Sequence, residues 1–374
     1  MVIGNPPYIR PHHLSSETKK QLWRTFETYE KKADIYVCFM ERGLKITKQG
    51  GVLTFIVSDG WLRLDSFEKV RNYILENSSV QKIVDFSQDV FDSATVKTCI
   101  VQLFKDNRMD NVVRFATVKN AADLSSINFS KVQQDTYLRT YKKVFDLSSD
   151  SVSEQLKEKM RAGAVQIGEK FSLSFGLKTG DDEKFLTWDS SISPFCKKLI
   201  RGADINRWMI NFKGEYVIYL PEQMRRHRPT ARPGTADRFE QPKILVRDTG
   251  GGLMATFDGD HFYVKDVIIL EDSEQRENVL KMLTALLNSK PLRWYYETTF
   301  PTLHVQRDEL ASLPIPKTIF KPDLKIVSLV DRILGAKSAD AAADTSTQEA
   351  EIDALVYRLY GLTAEEIAVV ERMD

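Results

Sequence analysis

Two consecutive prolines near the start of the chain, in Asn5-Pro6-Pro7-Tyr8, restrict its backbone more than any other short segment. Each proline fixes φ and lacks an N–H group, so the segment cannot continue a strand ladder or enter a helix interior. The Asn5 side-chain oxygen and the Pro6 backbone carbonyl are therefore predicted to remain available as hydrogen-bond acceptors for one planar amino group. The ring of Tyr8 can stack on a flat heterocycle. The alternative is an ordinary turn at a strand end, because Pro-Pro pairs are common in loops.

Up to about residue 118, the chain alternates between predicted helices and predicted apolar strands. This alternation is typical of an α/β fold, in which helices cover a sheet. The last of these strands alternates between apolar and polar residues, which favours an antiparallel partner. The predicted helices span 33–48 and 65–77, and the predicted strands span 52–58, 80–86 and 96–104.

In this order the segments resemble the later half of the catalytic domain of TaqI-like gamma-class N6-adenine DNA methyltransferases, including fused type II restriction–modification enzymes. Asn5-Pro6-Pro7-Tyr8 resembles motif IV of that family. The other matching stretches are Asp34-Ile35-Tyr36, Gly50-Gly51-Val52-Leu53, Val90-Phe91 and Val96-Lys97-Thr98. The resemblance implies a Rossmann-like sheet of the kind that binds S-adenosylmethionine. It also implies that Asn5, Pro6 and Tyr8 are catalytic and that Tyr8 and Phe91 stack on the target base. The alternative for Phe91 is an ordinary core residue.

The cofactor half of such a domain is not found in the sequence. Enzymes of this family carry a glycine-rich turn upstream of motif IV, yet only Met1-Val2-Ile3 precede Gly4. We find no strand–GxGxxG–helix unit elsewhere, so no residue is assigned to the cofactor. We therefore expect a fragment or one part of a split enzyme, with an N-terminal segment or partner chain supplying the rest. We expect S-adenosylmethionine to serve the complete enzyme and to bind this chain weakly or not at all.

The composition of the chain sets broad limits. With 374 residues, 42% of them apolar and 28% charged, the chain is predicted to be globular with two or three domains. Its formal net charge of +1 means that a DNA-binding surface must be a local patch. The three cysteines are widely spaced, which favours a reducing cytoplasm over disulfides or structural zinc. No apolar run is long enough to span a membrane. The adjacent His12 and His13 point apart, so no metal site is predicted.

After residues 1–118, the partial catalytic domain, residues 119–160 are predicted to form a polar connector. Residues 161–320 contain short strands separated by Gly-, Asp- and Pro-rich turns, which predicts a β-rich domain, and residues 321–374 are predicted to form helices packed on it. This half resembles the C-terminal target-recognition domain of the same family. The matching stretches are 175–180, 200–205, 242–248, 286–290 and 352–362.

The basic stretch Met224–Arg238 is the strongest candidate for DNA contact. Its prolines and glycine predict a non-helical loop, and arginine suits both phosphate contacts and bidentate guanine readout. Lys178, at the tip of a glycine turn, is a weaker candidate, and the alternative for the whole stretch is a solvated loop. The arginines concerned are Arg225, Arg226, Arg228, Arg232 and Arg238.

Three function classes fit these features. The first is a DNA adenine-N6 methyltransferase of a restriction–modification system, acting on double-stranded DNA by flipping the base out of the helix. The second is a DNA-recognition subunit without catalysis, for which an intact Asn5–Tyr8 segment has no use. The third is a glutamine- or RNA-directed methyltransferase, which the β-rich recognition domain disfavours. The sequence contains no convincing PD-(D/E)xK nuclease site.

Overall fold

The chain divides into two compact units in the computed structural model. The first comprises residues 1–151 and 299–301, and the second comprises residues 152–298 and 302–374. Both units contain helices and sheets, which confirms the predicted mixed α/β fold class. The structure describes residues 1–30, 32–87, 97–106, 108, 110–119, 123–124, 127–145, 151–250, 252–300 and 304–372.

The first unit is built on a six-stranded sheet with the order β1-β2-β4-β3-β5-β6 among its described strands. These strands are β1 Val2–Gly4, β2 Val52–Ser58, β3 Ser79–Phe86, β4 Thr98–Phe104, β5 Val112–Val118 and β6 Ser130–Gln133. The described helices of this unit are α1 Ser16–Thr25, α2 Tyr36–Ile46, α3 Gly60–Arg63, α4 Glu68–Asn77 and α5 Gln134–Arg139.

Strand β2 links the short β1 to the rest of this sheet. It pairs parallel with β1 and antiparallel with β4, so the predicted antiparallel partner is confirmed. Along β2, Leu53, Phe55 and Val57 are buried while their neighbours are only half-buried. Helix α2 packs on the buried face, where a Cβ atom on Gly43 would meet the Leu53 side chain at 3.0 Å. A glycine at position 43 thus allows close approach of helix and sheet.

Residues 119–160 were predicted to form a polar connector, but the structure places a strand and two helices in this range. Strand β6 and helix α5 extend the first sheet, and helix α6 (Ser151–Arg161) buries Leu156 and Met160. Buried amides hold the sheet extension. Gln134 Oε1 accepts from the Val80 N–H at 2.7 Å and from Asn111 Nδ2 at 2.7 Å. Polar residues that pair with one another inside a fold look, in sequence, like residues of a solvated linker.

The second unit follows, with short strands before its longer helices. Its described strands are β7 Ala164–Gln166, β8 Ser172–Phe175, β9 Leu186–Thr187, β10 Cys196–Arg201, β11 Ile205–Asn206, β12 Met209–Ile210, β13 Tyr216–Ile218, β14 Lys243–Arg247, β15 Ala255–Asp258, β16 Tyr263–Lys265, β17 Val267–Glu271 and β18 Pro314–Pro316. Its further helices are α7 Ile167–Lys170, α8 Asp182–Phe185, α9 Pro221–His227, α10 Ala236–Phe239, α11 Glu277–Asn288, α12 Lys290–Thr299, α13 Arg307–Ala311, α14 Leu324–Ala339, α15 Ser346–Leu359 and α16 Ala364–Glu371. Within the described ranges, no helix is both long and apolar enough to cross a bilayer.

Two four-stranded sheets form the β-rich part of this unit, with the orders β15-β14-β17-β8 and β16-β10-β13-β9. A fully buried ion pair lies in the first sheet, where Lys243 Nζ is 2.6 Å from Asp258 Oδ2. The ammonium group also donates to the Phe239 carbonyl at 2.7 Å. Removing either partner would leave the other charge buried and unpaired, which typically costs about 3–5 kcal/mol.

The C-terminal helices pack within the second unit rather than apart from it. Lys281 of α11 pairs with Asp331 of α14 at 2.9 Å, and the Tyr360 hydroxyl donates to the Pro314 carbonyl at 2.7 Å. The Asp353 carboxylate of α15 accepts from the backbone N–H of Lys290, the first residue of α12, at 2.8 Å. Burial raises the pKa of Asp353 to about 6, against the opposing effects of the Lys290 N–H and ammonium group.

We expect Asp353→Asn to increase the free energy of unfolding at pH 7.5 by about 1–3 kcal/mol, because the amide keeps an acceptor for Lys290 without a buried charge. The folded-state pKa of Asp353 is raised, because the buried carboxyl group is more stable in its protonated form than as a carboxylate. The difference between variant and wild type should therefore shrink as the pH falls through about 6 and vanish near pH 4. Urea denaturation at several pH values measures it, and a difference independent of pH would contradict this account.

Candidate active site and DNA interface

The turn Asn5-Pro6-Pro7-Tyr8 begins where β1 ends, next to β2. Gly4 approaches the Phe55 ring so closely that a Cβ atom on it would lie 3.0 Å from the ring. Pro6 is buried, whereas Asn5 is exposed. The buried proline fixes the turn against the sheet, and the Asn5 amide is left accessible to a ligand at the carboxyl end of a parallel strand pair.

The Tyr8 hydroxyl connects this turn to β2. It lies 3.0 Å from Asn5 Oδ1 and 3.2 Å from the Ile56 carbonyl, and its one proton is shared between these two acceptors. Burial, with a smaller contribution from Cys99, raises the pKa of Tyr8 to about 12, so the hydroxyl is a donor at neutral pH. The Asn5 oxygen has two lone pairs, so a second donor can approach it while Tyr8 remains bonded.

The aromatic ring of Tyr8 is supported from behind by a buried aromatic pair. Tyr36 meets it edge-on, with 6.2 Å between centroids and 83° between planes. Tyr36 in turn stacks on Phe67 at 5.6 Å. No role at this site was predicted for Tyr36, although it belongs to the Asp34-Ile35-Tyr36 stretch that resembles the methyltransferase family. Phe91, the predicted second stacking residue, lies outside the described residues.

His12 and His13 were predicted to point apart, but they lie in a 3₁₀ turn over Pro11–His13 that brings their ring centroids to 4.0 Å from each other. Within the described ranges, no group of three or more histidine, cysteine or acidic side chains could hold a metal ion. The two histidines follow the turn and lie on the surface of the first unit.

In the second unit, a cleft of about 770 Å³ brings together four of the six predicted DNA contacts, and we call it the recognition cleft. Its basic lining residues are Lys178, Arg225, Arg232 and Arg238. Lys178 and Arg232 exchange backbone hydrogen bonds of 2.8 Å in both directions, which joins two stretches far apart in sequence. The cleft thus gathers cations that the sequence distributes over sixty residues.

The prediction of a non-helical loop for 224–238 is wrong at both ends, because α9 covers its start and α10, which contains Arg238, covers its end. Helix α9 contains Arg225 and Arg226, because Pro221 at its start is compatible with a first helical turn and the Pro- and Gly-rich stretch begins only at Pro229. Arg226 is largely exposed and its guanidinium lies 3.7 Å from Glu222 on the same helix. Neither Arg226 nor Arg228 lines the recognition cleft in the described structure.

Two features of the recognition cleft were missed by the sequence analysis. Gly176 passes so close to β16 that a Cβ atom would lie 2.4 Å from the Val264 carbonyl, which explains a glycine at that position. Asp248 and Asp266 also line the cleft. Burial, followed by repulsion from Asp266, raises the pKa of Asp248. The recognition cleft therefore contains carboxyl groups as well as basic side chains.

Two stretches of the chain are similar to known protein families. Residues 1–91 match the Eco57I restriction–modification methylase family, and residues 197–315 match the TaqI-like C-terminal specificity domain. The turn at Asn5 lies in the stretch similar to the methylase family, and Arg225, Arg232 and Arg238 lie in the stretch similar to the specificity domain.

Relatives to which the chain is similar include type II enzymes. The chain is 33% identical to the restriction enzyme and methyltransferase RM.Eco57I of Escherichia coli, over 29% of this chain and 11% of that protein. It is 22% identical to the methyltransferase M.BstVI of Geobacillus stearothermophilus, over 99% of this chain and 74% of that protein. Its fold resembles that of MmeI, a type IIL restriction–modification enzyme solved in complex with DNA, with a TM-score of 0.59 and 11% identity over 99% of this chain and 56% of MmeI. The chain thus spans about one tenth of RM.Eco57I and about half of MmeI.

We expect Tyr8→Phe to lower the free energy of unfolding of the first unit by about 0.5–1.5 kcal/mol, because the variant loses the hydroxyl donor to Asn5 and Ile56. The folded-state pKa of Tyr8 is raised above 10.0, so the difference should be constant below pH 10 and should decline as the pH rises towards about 12. Urea denaturation provides the measurement. Tyr73→Phe is the matched control, because no hydrogen bond of the Tyr73 hydroxyl is found in the described structure. Equal effects of the two variants would argue against the role given to Tyr8.

Proposed function

We propose that the chain carries the target-base site and the DNA-recognition domain of a site-specific DNA adenine-N6 methyltransferase in a restriction–modification system. The observation that carries this proposal is the exposed Asn5 amide at the end of β1, beside a Tyr8 ring held by two hydrogen-bond acceptors. The similarity to type II methyltransferases supports the same reaction class.

The exocyclic nitrogen of adenine is a poor nucleophile because its lone pair is conjugated with the ring. In the proposed site, Asn5 Oδ1 and the Pro6 carbonyl accept the two amino hydrogens. These bonds draw the nitrogen towards tetrahedral geometry and localise its lone pair away from the ring. The rigid Pro-Pro turn holds both acceptors in place before the base arrives, so positioning and fixed dipoles account for most of the effect.

The adenine must leave the duplex to reach these acceptors, at a cost of a few kcal/mol. Stacking on Tyr8 recovers part of this cost, since base–aromatic stacking is worth about 1–3 kcal/mol. The Tyr8 ring is well suited to this role because its hydroxyl and the Tyr36 edge fix its orientation. Phe91 remains the proposed second stacking residue.

S-adenosylmethionine is the proposed cofactor, and it would supply the methyl group. The described residues do not fit a cradle for it. Gly250 and Gly252, in the most glycine-rich stretch of the sequence, lie between the antiparallel strands β14 and β15 rather than between a strand and a helix. We therefore assign no residue of this chain to the cofactor. The three cysteines are free thiols, which accords with the proposed location in a reducing cytoplasm.

The proposed partner is double-stranded DNA, held by the recognition cleft. Arginine and lysine neutralise phosphates and read guanine, and Asp248 and Asp266 can accept from the amino groups of cytosine or adenine. The predicted contacts Arg226 and Arg228 stay candidates outside this cleft. The same cleft also supports the second candidate function, a DNA-recognition subunit without catalysis, because its chemistry does not depend on Asn5.

We expect Asn5→Ala to abolish N6-methyladenine formation. The complete gene that encodes this chain is expressed in a methylation-deficient host, and N6-methyladenine in the host DNA is quantified by mass spectrometry. Loss of one acceptor in a preorganised site typically lowers the rate about 10²–10³-fold.

Asn211→Ala serves as the control, because it removes the same amide group from an exposed position in the second unit. Methyladenine in the wild type and in this control, but not in Asn5→Ala, supports the proposal. Methyladenine at equal levels in all three would refute the role of Asn5. Its absence from the wild type would favour the recognition subunit.

We expect Arg232→Gln combined with Arg238→Gln to weaken duplex DNA binding by at least about tenfold at low salt, because each lost phosphate contact lowers affinity and its salt dependence. Fluorescence anisotropy of a labelled duplex measures the affinity. The matched control is Arg332→Gln with Arg372→Gln, which removes two exposed arginines of the C-terminal region. Equal losses in both double variants would show that overall charge, and not the recognition cleft, controls binding.

A further inference from the structure

A second cleft, of about 560 Å³, lies in the first unit and follows the Asn5–Tyr8 turn along the chain. We call it the α1 cleft. Arg10, two residues after Tyr8, lines it, and so does Ser58, two residues after the Ile56 carbonyl that accepts from Tyr8. The α1 cleft is thus lined by residues that are close in sequence to Tyr8 and to Ile56, which position the proposed target base.

The segment after Tyr8 folds locally to build one wall of this cleft. A single 3₁₀ turn over Pro11–His13 follows Arg10, and the Ser15 hydroxyl then caps α1 by accepting from the Thr18 N–H at 3.1 Å. Helix α1 contains no fully buried residue, and Leu22 and Phe26 pack its C-terminal end against the core of the first unit. The Ile35 N–H donates to the Ile9 carbonyl at 3.1 Å and joins this segment to the start of α2.

The lining of the α1 cleft is strongly basic. Arg10, His12, Lys19 and Lys32 line it, and Asp34 is the single acidic residue in its described part. The side chains of Arg10, Lys19 and Lys32 make no ion pair or hydrogen bond within the described ranges. Many other cations in the chain are paired, as Arg201 is with Glu215 at 2.6 Å. Three cations that form no ion pair, against one carboxylate in the same lining, indicate a site for an external anion.

Asp34 offsets part of this charge, since Arg10 and His12 interact electrostatically with its carboxyl. Burial is the larger effect and raises the pKa of Asp34. Ser58 and Ser66 add hydroxyl groups to the lining. Hydroxyl donors and basic side chains together are the usual contacts of phosphate oxygens in DNA complexes.

We propose that the α1 cleft binds backbone phosphates of the DNA strand that carries the target base. The inference rests on the proposed function, because it takes the base held by Asn5 and Tyr8 to be part of DNA. Arg10 can lie at most about 7 Å along the backbone from Tyr8. Arg10 is therefore close enough to Tyr8 for its long side chain to reach a phosphate next to a base stacked on Tyr8. The α1 cleft therefore fixes the sugar–phosphate chain next to the flipped base, while the recognition cleft contacts the duplex through its own cations.

The test uses Arg10→Gln combined with Lys19→Gln in the full chain. The affinity for a random-sequence duplex is measured by fluorescence anisotropy over a series of salt concentrations. Losing two phosphate contacts should reduce the slope of log K against log salt by about 1.8, since each contact contributes about 0.9. The swapped variant Arg10→Lys with Lys19→Arg keeps both charges and should retain most of the wild-type slope.

The matched control is Lys20→Gln combined with Arg24→Gln, two exposed positions of α1 outside the cleft lining. Both double variants change the net charge from +1 to −1, so overall charge is equal. A smaller slope in the cleft variant alone supports the proposal. Equal slopes in the two double variants, whether reduced or not, overturn it. Thermal unfolding of each variant verifies the fold, and the exposed position of Arg10 makes loss of folding a poor explanation for a change.

Failure of the inference and failure of the proposed function give different results. If the wild type binds DNA and depends on Arg232 and Arg238 but not on Arg10 and Lys19, the α1 cleft proposal falls alone. If the wild type binds no DNA at any salt concentration, both proposals fall.

Discussion

The hydrogen bond from the Tyr8 hydroxyl to the Ile56 carbonyl is the interaction on which the proposed base site depends. Two prolines make the turn stiff, but stiffness alone does not orient a turn relative to a sheet. The Tyr8 hydroxyl supplies that orientation, since it also reaches Asn5 Oδ1. Tyr36 and Phe67 then prevent the ring from moving into the protein. The amide acceptor and the aromatic surface are therefore held as one rigid group.

An excess of positive over negative side chains is found locally in this protein, in two clefts. A net charge of +1 is close to neutral for 374 residues, yet each unit has a cleft where cations outnumber acidic groups. At physiological salt, charges farther apart than about 8 Å are screened from one another, so the local arrangement matters more than the sum. A chain of this kind can bind a polyanion through a few positions while its remaining surface stays balanced.

Several buried polar side chains stabilise parts of the fold that were not predicted from the sequence. Gln134 bonds to the backbone of β3 and to Asn111, and this bonding places residues predicted to form a connector within the first sheet. Arg71 donates to the Trp61 and Leu64 carbonyls at 2.8 Å, although arginine usually indicates a surface position. In each case the side chain satisfies backbone groups that no regular secondary structure would pair.

The sequence by itself determined the elements whose physics is local. Pro6 and Pro7 fix a turn, the alternating residues of the predicted strand 96–104 favour an antiparallel partner, and helices are predicted in 321–374, where α14 and α15 lie. Only the tertiary structure decided which distant residues share a site. The Lys178–Arg232 bridge, the Ile56 partner of Tyr8, and the joining of Arg10 to Lys32 around one cleft depend on strand pairing and loop closure. No periodicity encodes such contacts, because they arise from the balance of packing and hydrogen bonding over the whole unit.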